Sequence, residues 1–293
     1  MAIIDDIKRT YRQGGMLLRL IYINIGVFLL LHAVALVAWL LGVQEPQSLL
    51  WVELPSRFST LLGRPWTLIT YCFAHYDVLH ILFNMLCLYW MGRIFLEYFY
   101  PKQLSGLYII GGLGGAVLYV LAYNVFPPLY HQQGYLLGAS ASVIAIMVAV
   151  AVYAPDYKIG LLFFGQVALK WVALVMVLLS VLGIGATNTG GNIAHLGGAF
   201  IGLWFTAAIR RGRDITAWLN ASLDWLVSLV RRNPRQVGAP VGGTAYRPGA
   251  NRRSSQSEPS EADIDRVLDK IRRSGYDSLT DDERDILFRA SRR

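Results

Sequence analysis

The chain has 293 residues, of which 55% are hydrophobic and 16% are charged, and its formal net charge is +8. The apolar residues are concentrated in runs that are long enough to span a bilayer core, which predicts a polytopic membrane protein. The positive charge lies mostly in the two termini and suits the anionic inner leaflet. Since no basic stripe with interleaved aromatic residues occurs in a folded region, nucleic acid is not an expected partner.

Only two cysteines occur in the chain, Cys72 and Cys87. Their spacing is typical neither of a metal site nor of a disulfide framework. We therefore expect no metal and no cofactor, and any chemistry has to come from the side chains and backbone of the protein itself.

In chain order, a basic segment over 1–20 precedes six apolar stretches, which we predict as membrane-spanning helices of an all-α bundle. The predicted spans cover 21–42, 79–100, 104–126, 140–154, 170–182 and 191–209. The connection over 43–79 is rich in aromatic residues and too long for a tight loop, so we expect part of it in the membrane interface. The fourth span ends at Pro155 and is short for a helix that faces lipid.

Lysine and arginine residues near the span ends predict the orientation of the bundle. Arg93, Lys102 and Lys158 lie in links on the same side as both termini, whereas the alternate links contain only Arg57 and Arg64. Because positive charge is retained on the inner side of a membrane, both termini are predicted to be cytoplasmic.

Three segments follow the predicted membrane domain over 21–211. Residues 212–232 carry apolar side chains at spacings of three and four, which predicts an amphipathic helix along the inner membrane surface. Residues 233–260 are rich in Pro, Gly, Ser and Arg without apolar periodicity, a composition typical of a disordered linker. Residues 261–293 return to helical periodicity, and Thr280 with Glu283 forms a potential capping box. We expect a small helical hairpin there that docks a cytoplasmic partner.

Ser140 stands at the start of the fourth span, in the run Gly138, Ala139, Ser140, Ala141. These small neighbours leave its hydroxyl uncovered and let a substrate backbone approach closely. A helix that begins there has first-turn N–H groups without intrahelical partners, at the positive end of the helix dipole, where an oxyanion can bind. The alternative interpretation is that Ser140 is an N-cap or a small packing residue.

His80, Asn84 and His195 are polar residues at membrane depth, where such groups are usually functional. Ser140 and His195 each lie fifteen residues before the residue that ends their helix, so both are roughly 22 Å above the cytoplasmic ends. His80 and Asn84 are four residues apart and therefore share one face of the second span. The alternative for His195 is a helix-packing histidine without a catalytic role.

Gly198 and Gly202 form, with Ala194, a ridge of small residues along the sixth span. Ridges of this kind bring helix backbones together in membranes. If the short fourth span packs on this ridge, Ser140 comes close to His195.

The fourth to sixth spans contain no Asp or Glu that could orient an imidazole, so we predict a serine–histidine dyad. Ser140 is the predicted nucleophile, and His195 is the general base that takes its proton and returns it to the leaving amine. The backbone N–H of Ser140 and the side-chain amide of Asn84 are candidates for the oxyanion hole, with His80 supporting or contributing.

Three motifs together resemble those of the rhomboid intramembrane serine proteases. They are His75 with the run His-Ile-Leu-Phe-Asn-Met over 80–85, the serine motif over 138–141, and Ala-His-Leu-Gly-Gly over 194–198 followed by Gly202. The resemblance covers about 64–211, and the first span fits the six-helix bacterial form. It implies cleavage of single-span membrane proteins near the outer face of a bacterial inner membrane, by Ser140 and His195 through an acyl-enzyme.

One departure from the family pattern affects the site. Ile144 stands one turn beyond the serine, where some members carry an aromatic residue that packs on the histidine. We therefore expect a looser orientation of His195. None of the departures removes a catalytic group.

Two other functions are alternatives to the protease. A non-catalytic rhomboid-like protein would bind transmembrane clients, but such relatives usually lack the serine or the histidine, and both are present here. A transporter is disfavoured because the spans contain no clear internal repeat and no paired charges at the midplane.

Overall fold

The computed structural model describes residues 15–43, 51–161, 165–186, 188–230 and 261–274, together with positions 279, 280, 283, 286, 287 and 290. Most of the predicted amino-terminal segment, the predicted linker over 233–260 and most of the second helix of the predicted hairpin lie outside these residues. Contacts divide the chain into a first unit that ends at Asn233 and a second that begins at Pro234.

The first unit is built from helices with two small pairs of strands. Its elements are α1 (Met16–Leu40), β1 (Leu54–Pro55), α2 (Phe58–Gly63), α3 (Thr67–Thr70), α4 (Val78–Tyr98), α5 (Pro101–Val125), α6 (Pro127–Tyr130), β2 (Tyr135–Leu136), α7 (Ser140–Tyr153), β3 (Lys158–Leu161), β4 (Gly165–Ala168), α8 (Leu169–Leu182), α9 (Thr189–Ile209) and α10 (Ala217–Val230). A 3-10 turn over Tyr71–Phe73 lies between α3 and α4.

Six apolar helices make up the bundle. Among the described residues, α1, α4, α5 and α9 are long and apolar enough to cross a membrane, and α7 and α8 are shorter apolar helices. These six helices coincide with the six predicted spans and differ from them by a few residues at the ends, as α1 does by beginning at Met16. The predicted all-α polytopic membrane fold is confirmed.

Helix α7 lies at the centre of the bundle, where it packs against α4, α5 and α9. Every residue from 141 to 151 is buried. The Thr206 hydroxyl of α9 donates to the Ala149 carbonyl at 2.9 Å, and the Arg210 guanidinium donates to the Val152 carbonyl at 2.8 Å. A helix that is apolar all round is stable when protein surrounds it, so the burial of α7 fits its apolar sequence.

The connection before α4 packs against the bundle through hydrogen bonds to α5. The Tyr71 hydroxyl donates to the Gly112 carbonyl, and the Tyr108 hydroxyl donates to the Cys72 carbonyl, each at 2.7 Å. Strand β1 pairs with β2, the segment that leads into α7. The connection therefore holds the region in front of α7 in place.

The segment between α7 and α8 forms an antiparallel hairpin that the sequence did not predict. Strand β3 pairs with β4 in a regular register, from Lys158 opposite Ala168 to Leu161 opposite Gly165. The sequence showed only an apolar run interrupted by Gly165 and Gln166, which is ambiguous between structure types at this length.

The second unit contains α11 (Glu261–Ser274) and six further described positions. Val267 and Leu279 are buried. The Thr280 backbone N–H donates to the Glu283 carboxylate at 2.8 Å, and the Glu283 N–H donates to the Thr280 hydroxyl at 3.4 Å, which is the predicted capping box. Lys270 binds the Glu283 carboxylate at 2.8 Å.

Candidate active site

Ser140 and His195 lie on two helices that run in the same direction through the bundle. Ser140 is the first residue of α7, and His195 lies near the start of α9. The Ser140 Oγ is 2.8 Å from the His195 Nε2. This is the distance of a good hydrogen bond between a hydroxyl and an imidazole nitrogen, so the structure brings the two predicted dyad residues together.

The close approach of α7 and α9 depends on glycines. A Cβ atom on Gly198 would overlap the Ala141 carbonyl, and one on Gly202 would overlap the Ala145 carbonyl. The backbones are therefore in direct contact along the predicted ridge, as small residues allow in membrane helices. This contact sets the spacing between the start of α7 and the imidazole on α9.

The loop in front of Ser140 is held by the connection that precedes α4. The Gly138 N–H donates to the Tyr71 carbonyl at 3.0 Å, and the Ala139 N–H donates to the His75 Nε2 at 3.3 Å. His75 has no solvent exposure, and burial, with a further contribution from nearby His80, lowers its pKa to about 4. A neutral imidazole is the form that accepts a hydrogen bond at this nitrogen.

Gly138 meets two steric demands at once. Its φ of +115° lies in the region that favours glycine, and a Cβ there would stand 2.7 Å from the His80 Nε2. The His80 ring thus packs directly on the serine loop, and it contacts the His75 ring edge to face at 5.0 Å between centroids.

The candidate oxyanion groups lie at the start of α7 and on the first turns of α4. Ser140 begins α7, so its backbone N–H is among the first-turn donors that lack an intrahelical acceptor. Asp77 caps α4 by accepting from the His80 N–H at 2.9 Å. Asn84 lies one turn further along α4, is largely buried, and donates one amide N–H to the His80 carbonyl at 2.9 Å. Its second N–H is not used in that bond.

Ser180 is a site residue that sequence reasoning missed. Its Oγ lies 3.2 Å from the His195 Nδ1, on the opposite side of the imidazole from Ser140. In the sequence, a lone serine in the apolar α8 carries no signal other than its polarity, and it is neither an Asp nor a Glu, the residues expected to orient an imidazole. Although Ile144 supplies no aromatic surface, the histidine is bonded at both ring nitrogens.

The described residues contain no group of three His, Cys, Asp or Glu side chains that could hold a metal ion. The chemistry available from the described groups is acyl transfer. It combines a hydroxyl bonded to an imidazole, backbone N–H groups at a helix start, and an amide one turn along the neighbouring helix.

Comparison with known proteins identifies families that match the sequence of this chain. Residues 62–212 match the model of the Rhomboid domain, and residues 251–293 match the model of a family of unknown function, DUF6576. The chain is 36% identical over 163 residues to RHOMBOID-like protein 12, mitochondrial, of Arabidopsis thaliana, covering 52% of this chain and 48% of the relative.

Two further relatives are also named as rhomboid-like proteins. Presenilin-associated rhomboid-like protein A, mitochondrial, of Danio rerio is 30% identical over 139 residues, or 45% of this chain and 34% of the relative. Rhomboid-like protein 16, chloroplastic, of Arabidopsis thaliana is 29% identical over 171 residues, or 54% and 53%. The matched region thus spans between about a third and about half the length of these relatives.

Proposed function

The chain belongs to the rhomboid family, and we propose that it is an intramembrane serine endopeptidase that cleaves transmembrane segments of single-span membrane proteins. The observation that carries the proposal is the 2.8 Å contact between the Ser140 Oγ and the His195 Nε2 within a bundle of apolar helices. A serine is a weak nucleophile at its ordinary pKa, and an adjacent imidazole activates it.

The proposed reaction proceeds by acyl transfer. The His195 Nε2 takes the hydroxyl proton while the Ser140 Oγ attacks the peptide carbonyl carbon. The oxyanion that forms accepts hydrogen bonds from the Ser140 N–H and the Asn84 amide, with His80 beside them. The imidazolium then gives its proton to the leaving amine as the C–N bond breaks, and an acyl-enzyme ester remains.

Hydrolysis of the ester repeats these roles with water. His195 takes a proton from water as the water oxygen attacks the ester carbonyl, and it returns that proton to the Ser140 Oγ when the ester bond breaks. For this step, water has to reach the acyl-enzyme from the side of the membrane at which α7 begins. The Gly138, Gly198 and Gly202 positions serve this chemistry by holding the serine loop and the helix pair in register.

The membrane and the orientation are also part of the proposal. The resemblance to the six-helix bacterial form supports a bacterial inner membrane, and the lysine and arginine distribution supports cytoplasmic termini. Substrates are then cut near the outer face. The second unit, which matches a family of unknown function, is proposed to bind a cytoplasmic partner.

A fluorophosphonate probe tests the proposal without a known substrate, because it reacts with activated serines. We expect the wild-type chain in detergent micelles to be labelled, and the labelling rate to fall by roughly 10³-fold or more in Ser140→Ala and His195→Ala. Ser142→Ala is a matched control, because Ser142 lies on the same helix and is fully buried. It should retain labelling.

Two outcomes would contradict the protease. One is well-folded wild-type protein that is not labelled, which favours a client-binding role without catalysis. The other is undiminished labelling of Ser140→Ala, which would place the reactive serine elsewhere in the chain.

A further inference from the structure

Ser180 occupies an unusual place on α8. This helix is apolar and mostly exposed at the surface of the bundle, and its buried residues are Leu169, Ala173 and Ser180. Ser180 is thus the one buried hydroxyl of this helix, with 3% exposure. A polar side chain on a lipid-facing helix normally forms its hydrogen bonds inside the protein, and here they lead to the catalytic imidazole.

The direction of the hydrogen bonds around Ser180 follows from its single proton. The Ser180 Oγ is 2.9 Å from the Met176 carbonyl, which can only accept, so the hydroxyl proton is donated there. The Oγ then has only lone pairs for the His195 Nδ1 at 3.2 Å, so that nitrogen carries the proton. The Nε2 is left without a proton and accepts from the Ser140 hydroxyl at 2.8 Å.

We infer that Ser180 is a positioning residue that holds His195 in the tautomer with its proton on Nδ1, the tautomer in which Nε2 acts as a general base. The inference rests on the proposed function for its catalytic consequence. The other tautomer would present an N–H to Ser140 and could not remove the hydroxyl proton. Asp and Glu are absent from α7, α8 and α9, so a neutral hydroxyl does here what a carboxylate does in a serine–histidine–aspartate triad.

Ser180 also ties the imidazole to the position of α8. The helix packs against α9 and α7, and the Ser180 hydroxyl is bonded to the preceding turn of its own helix. The orientation of the His195 imidazole therefore depends on α8 remaining packed against α9. A purely structural serine would form the bond to the preceding turn and need no contact with the imidazole.

The first test reads the tautomer directly. In full-length protein labelled with ¹⁵N-histidine in micelles, at a pH of about 8 where an ordinary histidine is neutral, the two ring nitrogens of His195 give distinct signals. The chain has 5 histidines, and loss of one pair of signals in His195→Ala assigns them. We expect the proton on Nδ1 in the wild type and a mixture of tautomers in Ser180→Ala.

The second test reads the catalytic consequence with the fluorophosphonate probe. We expect the maximal inactivation rate to fall on the order of tenfold in Ser180→Ala, with the concentration for half-maximal inactivation unchanged, as for loss of one hydrogen bond to a buried group. Ser180→Thr and Ser180→Val form a matched pair that share one shape and differ in the hydroxyl. Threonine should restore the rate, and valine should not.

Each contrary result overturns the inference. A wild-type proton on Nε2, equal rates for the threonine and valine variants, or a Ser180→Ala rate equal to the wild type would each show that the hydroxyl does not position the base. Absence of labelling in the wild type would refute the proposed protease instead, while the nitrogen signals would still decide the tautomer.

Discussion

At the scale of single residues, individual groups at the site each have more than one structural role. Gly138 supplies a left-handed backbone and leaves space for the His80 ring at the same position. His75 is buried and accepts from the Ala139 N–H, so it helps to hold the serine loop in place. A substitution at either position would move Ser140 without touching it.

Glu53 provides a pH-dependent prediction at the residue scale. It lies directly before β1, outside the membrane-spanning helices, and burial raises the pKa of its carboxyl above 4.5. The folded protein therefore holds this proton to a higher pH than the unfolded chain does. The stability linked to Glu53 is fully present below the unfolded pKa and is lost as the pH rises through the folded pKa.

Glu53→Gln removes the charge and should stabilise the protein only at the higher pH. We expect the variant to have a higher Tm than the wild type at a pH of about 8 and an unchanged Tm at a pH of about 4, because burial penalises only the charged carboxylate. Thermal unfolding in micelles at both pH values measures it. An equal shift at the two pH values, or a loss at the higher one, would show that the buried carboxylate is not the cause.

At the scale of elements, helices α7 and α1 differ both in length and in what surrounds them. Helix α7 is buried along its length and begins at the depth of the site, so it needs no more than the 14 residues over Ser140–Tyr153. Helix α1 spans the membrane at the edge of the bundle and has 25 residues, of which only four are buried. The site therefore lies at the start of a short central helix that packs against the longer α4, α5 and α9.

The contact between α7 and α9 is open to a direct test. We expect Gly198→Ala to destabilise the protein by about 1–3 kcal/mol, because its Cβ would overlap the Ala141 carbonyl, and to reduce labelling by separating Ser140 from His195. Gly26→Ala is the control, since Gly26 lies on α1 with nothing within 4 Å of a Cβ. It should be neutral or slightly stabilising.

Thermal unfolding and fluorophosphonate labelling of both glycine variants provide the measurement. If the two variants lose similar stability, the backbone contact is not what holds the helices together. A Gly198→Ala variant that keeps its stability but is no longer labelled by the probe would show that Gly198 sets the relative position of the two helices without contributing to their packing energy.

At the scale of the whole molecule, three parallel helices give the bundle two different ends. Helices α4, α7 and α9 all begin near the serine loop, and the opposite end carries Arg93, Lys102 and Arg210. Arg210 also binds the last turn of α7. The serine–histidine pair and this positive charge thus lie at opposite ends of the bundle, which agrees with the proposed outward opening of the site.

Cysteine accessibility tests this orientation. In intact bacterial cells that express the chain, a membrane-impermeant maleimide should label His131→Cys, between α6 and β2, and should label Arg211→Cys only after permeabilisation. Cys72 is buried, and Cys87, which is exposed on α4, is replaced by serine in both variants. The reverse pattern of labelling would invert the proposed topology.

The sequence by itself determined the class of the protein and its six apolar helices. These follow from local properties, because hydrophobic runs, helical rise and small-residue spacing are all readable along the chain. The same reasoning selected Ser140, His195, His80 and Asn84 and predicted the glycine ridge on α9.

Only the tertiary structure decided how these groups are held. The bond from Ser180 to His195 joins helices that the sequence treats separately, and the bond from Ala139 to His75 joins residues 64 positions apart. The pairing of β3 with β4 was also not predictable, because these strands lie in an apolar run without a strand pattern. Such contacts depend on which faces of distant segments meet, and a single hydroxyl in an apolar helix carries no periodic signal until its neighbour across the helix interface is known.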